Sequence, residues 1–198
     1  TTGPLGQGLA NAVGFACAER HLAARFNKPD CELIDHYTYC LVGDGCLMEG
    51  ISSEAASLAG HLGLGKLIVL YDDNRVSIDG STDLAFTEDV SMRFAAFNWQ
   101  VLEVMDGDRD IDGIEAALRR ARDEKNRPTL IRVHTTIGYG CPSKQGTADC
   151  HGAPLGADAL EAAPKYLNWT PEPFEVPAEV YDHMRAIDRG QSAQAQWN

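Results

Sequence analysis

Two oxygen-bearing side chains follow short apolar runs and stand thirty residues apart. Asp44 lies between Gly43 and Gly45, directly after Tyr39-Cys40-Leu41-Val42, and Asn74 closes the run Lys66 to Tyr71 followed by Asp72 and Asp73. A carboxylate and an amide oxygen are hard donors that suit Mg²⁺, which takes oxygen ligands and shares its shell with substrate phosphates. The flanking glycines let the backbone turn sharply and approach a ligand closely. Gly-Asp-Gly alone is also an ordinary turn signal, and so is Asp-Asn after a strand. Their joint occurrence at two strand ends is what favours a metal. Gly60, Gly63 and Gly65 precede a strand instead of following one, which argues against a dinucleotide-binding loop there.

The elements that must hold these residues can be read from periodicity. Tyr39–Val42 and Lys66–Tyr71 are continuous apolar runs of the kind found in buried parallel strands. Further strands are expected at Gln100–Met105 and Thr129–Thr135. A helix is expected from Gly6 to about Phe26, with Gly6, Gly8, Ala10, Ala12, Gly14, Ala16 and Ala18 permitting close approach of another backbone. Leu47, Ile51, Ala55, Leu58 and Leu62 recur at helical spacing and predict one helix of about four turns with an apolar stripe. Asp89–Phe97 and the segment with Ile111, Ile114, Leu118 and Ala121 predict two more. Strands alternating with helices imply an α/β fold, a parallel sheet with helices on both faces. Ligands of such sheets bind beyond the carboxyl ends of the strands, where Asp44 and Asn74 fall. A polar loop from Gly138 to about Gly156, an extended linker at Thr170–Pro177 and an amphipathic helix with Val180, Met184 and Ile187 complete the reading.

Composition narrows the function classes. The chain has 198 residues, 44% of them hydrophobic, enough for one α/β domain with at most a short appendage. Its 17 Lys and Arg against 29 Asp and Glu give a formal charge of −12, which opposes binding to a nucleic-acid backbone. An anionic ligand would therefore need a metal ion or aimed backbone amides. No apolar run approaches the ~20 residues of a membrane helix, and the opening residues show no signal-peptide pattern. Cys17, Cys31, Cys40, Cys46, Cys141 and Cys150 show no C-x-x-C or Cys/His spacing, so free thiols in a reducing compartment are expected instead of disulfides or zinc. The chain opens without Met inside a glycine-rich loop, which reads as a fragment.

Four segments, in order, resemble the transketolases, enzymes dependent on thiamine diphosphate. They are Thr1-Thr2-Gly3-Pro4-Leu5-Gly6-Gln7-Gly8; Gly43-Asp44-Gly45 with Glu49 and Glu54, continuing to Tyr71-Asp72-Asp73-Asn74-Arg75-Val76; Thr135-Thr136-Ile137-Gly138-Tyr139-Gly140; and His151-Gly152-Ala153-Pro154-Leu155-Gly156. The resemblance implies the family's pyrophosphate-binding domain over residues 1–169, truncated at its N-terminus. Residues 170–198 would be the linker and terminal helix leading to an absent pyrimidine-binding domain. It further implies that Asp44, Asn74 and the main-chain oxygen of Val76 hold Mg²⁺ (with Ca²⁺ or Mn²⁺ as substitutes). Gly45 and Asn74 would touch the diphosphate, Gly3, Pro4 and Leu5 would line the thiazolium, and Ile137 would lie against the cofactor. His151 would reach both cofactor and substrate and act in catalysis.

On residue type alone, Glu49 and Glu54 are open between a solvated acidic face and a carboxylate needing a partner. The resemblance makes them part of a carboxylate network between the two active sites of a homodimer. The implied reaction moves a two-carbon ketol unit from a ketose phosphate to an aldose phosphate, as in the pentose phosphate pathway and Calvin cycle. The implied setting is the cytoplasm, or a plastid where a transit peptide precedes. The activating glutamate, the pyrimidine-stacking aromatic residue and most phosphate-gripping basic residues would come from the partner subunit, so this chain alone is expected to be inactive. Two rival readings are another thiamine-diphosphate enzyme, such as dihydroxyacetone synthase, and a non-catalytic cofactor-binding half-subunit. The run Glu49-Gly50-x-x-x-Glu54-Ala55 and the His151–Gly156 segment favour transketolase over deoxyxylulose-phosphate synthase.

Overall fold

A computed structural model describes residues 3–198; Thr1 and Thr2, the first two residues of the glycine-rich segment, lie outside the described residues. Four parallel strands form the sheet: β1 (Thr38–Gly43), β2 (Leu67–Asp73), β5 (Gln100–Val104) and β6 (Thr129–His134), in the order β1-β2-β6-β5. The register pairs Gly43 with Asp72 and Asp73 with His134, so the carboxyl ends of three strands finish side by side. A short antiparallel pair, β3 (Val76–Ser77) and β4 (Gly80–Ser81), follows β2 directly.

Helices cover both faces, as the alternation of elements predicts. Alternate residues of β2 explain it: Leu67, Val69 and Tyr71 enter one core with α1 (Gln7–Phe26), α3 (Gly50–Leu62) and α4 (Val90–Ala96), while Ile68 enters the other with α5 (Ile111–Asp123). The crossover from β1 to β2 therefore runs over one face and that from β5 to β6 over the other. The loops diverge above the adjacent pair β2 and β6, which creates a crevice at the carboxyl edge.

The predicted helix through Leu47 to Leu62 is in fact two helices, α2 (Asp44–Met48) and α3, broken at Glu49, whose backbone is extended (φ −73°, ψ 136°). Its buried face also differs from the predicted stripe. Only Leu47 of the stripe is fully buried, whereas Ile51, Leu58 and Leu62 are exposed and Ser52, Ala56, Ala59 and Gly60 face the core. The cause is close packing: α1 brings Ala12 and Ala16 into the same core, and only small residues on α3 leave room for it. Of the small residues expected to permit close approach along α1, Ala12 and Ala16 are used within the chain, whereas Gly14 and Ala18 are exposed. Gly60 is the tightest point, since a Cβ there would overlap the carbonyl oxygen of Phe97. Gly60→Ala is expected to destabilise the fold by about 1–3 kcal/mol, the usual cost of overpacking, measured by thermal or urea unfolding.

Beyond β6 the chain forms a loop with a 3-10 turn at Ala148–Cys150, then α6 (Ala157–Leu167), α7 (Ala178–Met184) and α8 (Ile187–Trp197). The single amphipathic helix expected near Val180–Ile187 is two helices, broken at Arg185, which is extended.

Candidate metal site at the carboxyl edge of the sheet

Asp44 is the first residue of α2 and is buried, at 3% exposure. Its Oδ1 accepts a 2.6 Å hydrogen bond from the Tyr71 hydroxyl, while its Oδ2 is buried with no hydrogen-bond partner among the described residues. Burial pushes the Asp44 carboxyl above the ordinary aspartate range; the Tyr71 hydroxyl and the nearby Arg75 main-chain N–H oppose that shift, and Asp73 adds to it. An unpaired carboxylate oxygen in such a place is costly. A divalent cation is a partner whose chemistry such an oxygen would fit.

The second strand end carries the other candidate oxygens. Helix α2 contacts β3, which brings Asp44 beside the loop carrying Asn74 and Val76. Asn74 Oδ1 accepts from the Val76 N–H at 3.0 Å, and Asn74 Nδ2 donates to Asp72 Oδ2 at 3.4 Å, fixing the amide with its oxygen turned toward Val76. Arg75 between them is held in the left-handed region at φ 58°, a conformation costing about 1–3 kcal/mol for a non-glycine residue. Such strain is kept where the turn must present particular atoms.

The described loops close around this edge. Leu5 meets Gly45, where an added Cβ would come within 3.1 Å of the leucine Cδ1. Gly6, at φ 78°, lies against Glu49, Ile51 and Ser52. Thus Gly3-Pro4-Leu5 lies over the start of α2, with all three residues exposed. Ile137 is half-buried, and its carbonyl accepts from Gly146 N–H at 2.8 Å. Gly138, at φ 67°, packs on the Cys150 sulfur, 2.8 Å from where its Cβ would be. His151 follows Cys150 and is exposed. Its ring makes no hydrogen bond or ion pair to the Asp44 group among the described residues. The structure therefore unites Leu5, Gly45, Asp44, Asn74 and Val76, and sets Ile137 and His151 on a neighbouring loop.

Comparison with known proteins decides the family. The model of the transketolase thiamine diphosphate binding domain matches residues 1–198. The chain belongs to the transketolase family. The transketolase of Nostoc sp. is 57% identical over 199 residues, covering 100% of this chain and 30% of that protein. The chloroplastic transketolase of Spinacia oleracea is also 57% identical, over 100% of this chain and 27% of its own length. Among solved structures, transketolase from Leishmania mexicana superposes with a TM-score of 0.95 at 50% identity, covering 100% of this chain and 30% of that one. The Pichia stipitis transketolase in complex with sedoheptulose-7-phosphate gives 0.94 at 52% identity, over 100% and 29%. The chain therefore spans about 30% of the length of the transketolases it matches.

Against this transketolase frame, Glu49 and Glu54 are both exposed, without an ion pair among the described residues. Ile51 and Leu58, which Glu54 flanks, are exposed too, so both carboxylates stand on an outward face of the chain. Sequence reasoning passed over a polar network beneath Asp44. Buried Asp73 accepts from Arg132 Nε at 2.7 Å, and His134 spans Asp73 (3.1 Å) and Glu103 (2.7 Å). Asp44, Tyr71, Asp73, Arg75, Glu88 and Arg132 line a polar cavity of about 170 Å³. The signal was present in the period of two: Tyr71 and Asp73 on β2, like Arg132 and His134 on β6, share a face at the ends of otherwise apolar strands.

Proposed function

We propose that this chain is the pyrophosphate-binding part of a transketolase, spanning residues 1–169. Residues 170–198 then lead toward a pyrimidine-binding domain. The whole protein transfers a two-carbon ketol unit between sugar phosphates. The observation that carries the proposal is the buried, unpartnered Oδ2 of Asp44 beside the Asn74–Val76 turn, in a chain that belongs to this family. Asp44, Asn74 and the main-chain oxygen of Val76 would hold Mg²⁺, or Ca²⁺ or Mn²⁺ in its place. Gly45 and Asn74 would contact the diphosphate. Thiamine diphosphate, when bound, supplies the carbanion chemistry that no side chain can provide.

The chain's own residues bind and orient. Asp44 offers one full charge to the cation, and Asn74, locked by its bond to Val76, offers a dipole. Leu5, packed on Gly45, keeps water from the start of α2, while Gly3 and Pro4 extend that wall toward the thiazolium and Ile137 lies against the cofactor. His151, exposed at the rim, is free to meet a substrate oxygen and move or share a proton there. Glu49 and Glu54, with exposed Ile51, Leu58 and Leu62, suit a homodimer contact joining two active sites. No helix among the described residues is long and apolar enough to cross a membrane. The cytoplasm is the proposed location, or the plastid, since chloroplastic relatives are as similar as bacterial ones.

The test is a coupled assay on the intact protein. A ketose phosphate donor and an aldose phosphate acceptor should be interconverted only with both Mg²⁺ and thiamine diphosphate present. Turnover that ignores the cofactor would overturn the assignment. The 198-residue chain alone is expected to be inactive and to self-associate. Its edge strand β1 exposes Leu41 (80%) and Tyr39 (50%), and α1 exposes Phe15 (65%), more apolar surface than a soluble monomer tolerates. Light scattering and the same assay on the isolated chain check this; a monodisperse, active monomer would contradict it.

A further inference from the structure

The loop that carries His151 is closed on itself by the sulfur of the residue before it. We propose that Cys150 is a positioning residue for His151: its side chain pins the end of the loop to the beginning and so fixes where the imidazole stands. The inference rests on the reading of His151 as a group that meets substrate, and it adds the residue that aims it.

Several contacts converge on Cys150. Its sulfur lies against Gly138, which sits at φ 67° and has no Cβ; one added there would come within 2.8 Å of Sγ. The thiol has two carbonyl acceptors within reach, Thr147 at 3.2 Å and Lys144 at 3.6 Å. The Lys144 carbonyl already accepts from the Thr147 hydroxyl at 2.7 Å, so the one thiol proton goes to Thr147. Backbone bonds complete the clasp. Gly146 N–H donates to the Ile137 carbonyl at 2.8 Å, and Cys141 N–H donates to that of Gly138 at 3.0 Å. Ile137 and Gly138 lie just beyond the end of β6, so the clasp ties the far end of the loop to the sheet.

His151 has little else to hold it. It is exposed, and its ring makes no hydrogen bond or ion pair among the described residues. Its N–H donates to the Ala148 carbonyl at 2.9 Å, within the 3-10 turn that Cys150 ends. After it comes Gly152, at φ 73°, with open space where a Cβ would be. Further on, Lys144 Nζ reaches the Pro154 carbonyl at 3.5 Å, a long tie. The ring is therefore placed by the turn that precedes it, and Cys150 is the side chain that docks that turn on Gly138. Such placement matters because a shift of about 1 Å in a reacting group costs about 100-fold in rate.

Steady-state kinetics of the intact protein, saturated with Mg²⁺ and thiamine diphosphate, test the role with a ketopentose phosphate donor and an aldose phosphate acceptor. Wild type is compared with Cys150→Ala, Cys150→Ser, His151→Ala and the Cys150→Ala/His151→Ala double variant. Cys150→Ala should lower kcat about 10- to 100-fold with KM close to wild type, the cost of a ring displaced by up to about 1 Å. Cys150→Ser, which keeps a donor over Gly138, should recover most of that loss. In the His151→Ala background, adding Cys150→Ala should change kcat by less than about twofold, because the two residues act as one unit. A Cys150→Ala variant with wild-type kcat, a serine variant as slow as the alanine one, or losses that multiply in the double variant overturn the role of Cys150. If His151→Ala itself keeps wild-type kcat, the reading of His151 fails and takes the proposal with it. That result is distinct from a slow His151→Ala beside a fast Cys150→Ala, which removes the positioning role alone.

Discussion

Asp44→Ala in the intact protein is expected to weaken Mg²⁺-dependent binding of thiamine diphosphate by about 100-fold or more, since even outer-shell partners of a metal are worth about 10- to 100-fold. The same change at Asn74 should cost less. Asp44 presents a carboxylate from a buried position, its Oδ2 without a hydrogen-bond partner among the described residues, whereas Asn74 presents a dipole and already spends part of it on the Val76 N–H. Calorimetric titration with thiamine diphosphate at fixed Mg²⁺ measures both variants. An Asp44 variant with wild-type affinity would remove the metal from this edge of the sheet, and an Asn74 variant worse than Asp44 would invert the ranking of the two ligands.

A second large effect is expected at His151, and it should appear in turnover instead of binding. The side chain is exposed on the loop whose Cys150 packs against Gly138, next to Ile137, and the fold spends nothing on it. His151→Ala should therefore leave the unfolding temperature and cofactor affinity close to wild type. If the imidazole stabilises charge developing on the substrate oxygen, kcat should fall by roughly 10- to 1000-fold, the range for one positioned hydrogen-bonding or acid/base group. Steady-state kinetics with a ketopentose phosphate donor decides. A wild-type kcat would place His151 outside the reaction, and a parallel loss of cofactor affinity would make it a binding residue.

How much of this was legible in the sequence depends on which physical signal each element leaves. Strands β1 and β2 fall where continuous apolar runs put them, but only β2 is largely covered on both faces, whereas β1, at the sheet edge, exposes Tyr39 and Leu41. The positions of Asp44 and Asn74 follow from those strand ends, since register places Gly43 opposite Asp72. Helix α3 was legible in its period and illegible in its orientation. Large residues at Ile51, Leu58 and Leu62 looked like the core face, but close approach of α1 selects Ala56, Ala59 and Gly60 instead. The break at Glu49 leaves little trace in composition, as Gly50 sits inside the helix that follows it. Helix α6 contains Pro164 at its eighth position, a residue that argues against a helix and is accommodated near its carboxyl end. The network under Asp44 was hidden for another reason. Tyr71 reads as a strand-forming aromatic, and only the folded register shows that its hydroxyl ends against Asp44 with Asp73 and Arg132 behind it.

The network also explains why so acidic an edge can stay folded before any cation arrives. Asp73 pairs with Arg132, and the Tyr71 hydroxyl donates to Asp44, which leaves Oδ2 of Asp44 without a hydrogen-bond partner among the described residues.

The most direct measurement of this account is anomalous diffraction from crystals of the intact protein grown with Mn²⁺ and thiamine diphosphate. A single strong manganese peak should lie on Oδ2 of Asp44, shared with the Asn74 side-chain oxygen and the Val76 carbonyl, with the cofactor's diphosphate completing the shell. A diphosphate bound elsewhere, or a manganese peak that leaves Oδ2 of Asp44 bare, would contradict it.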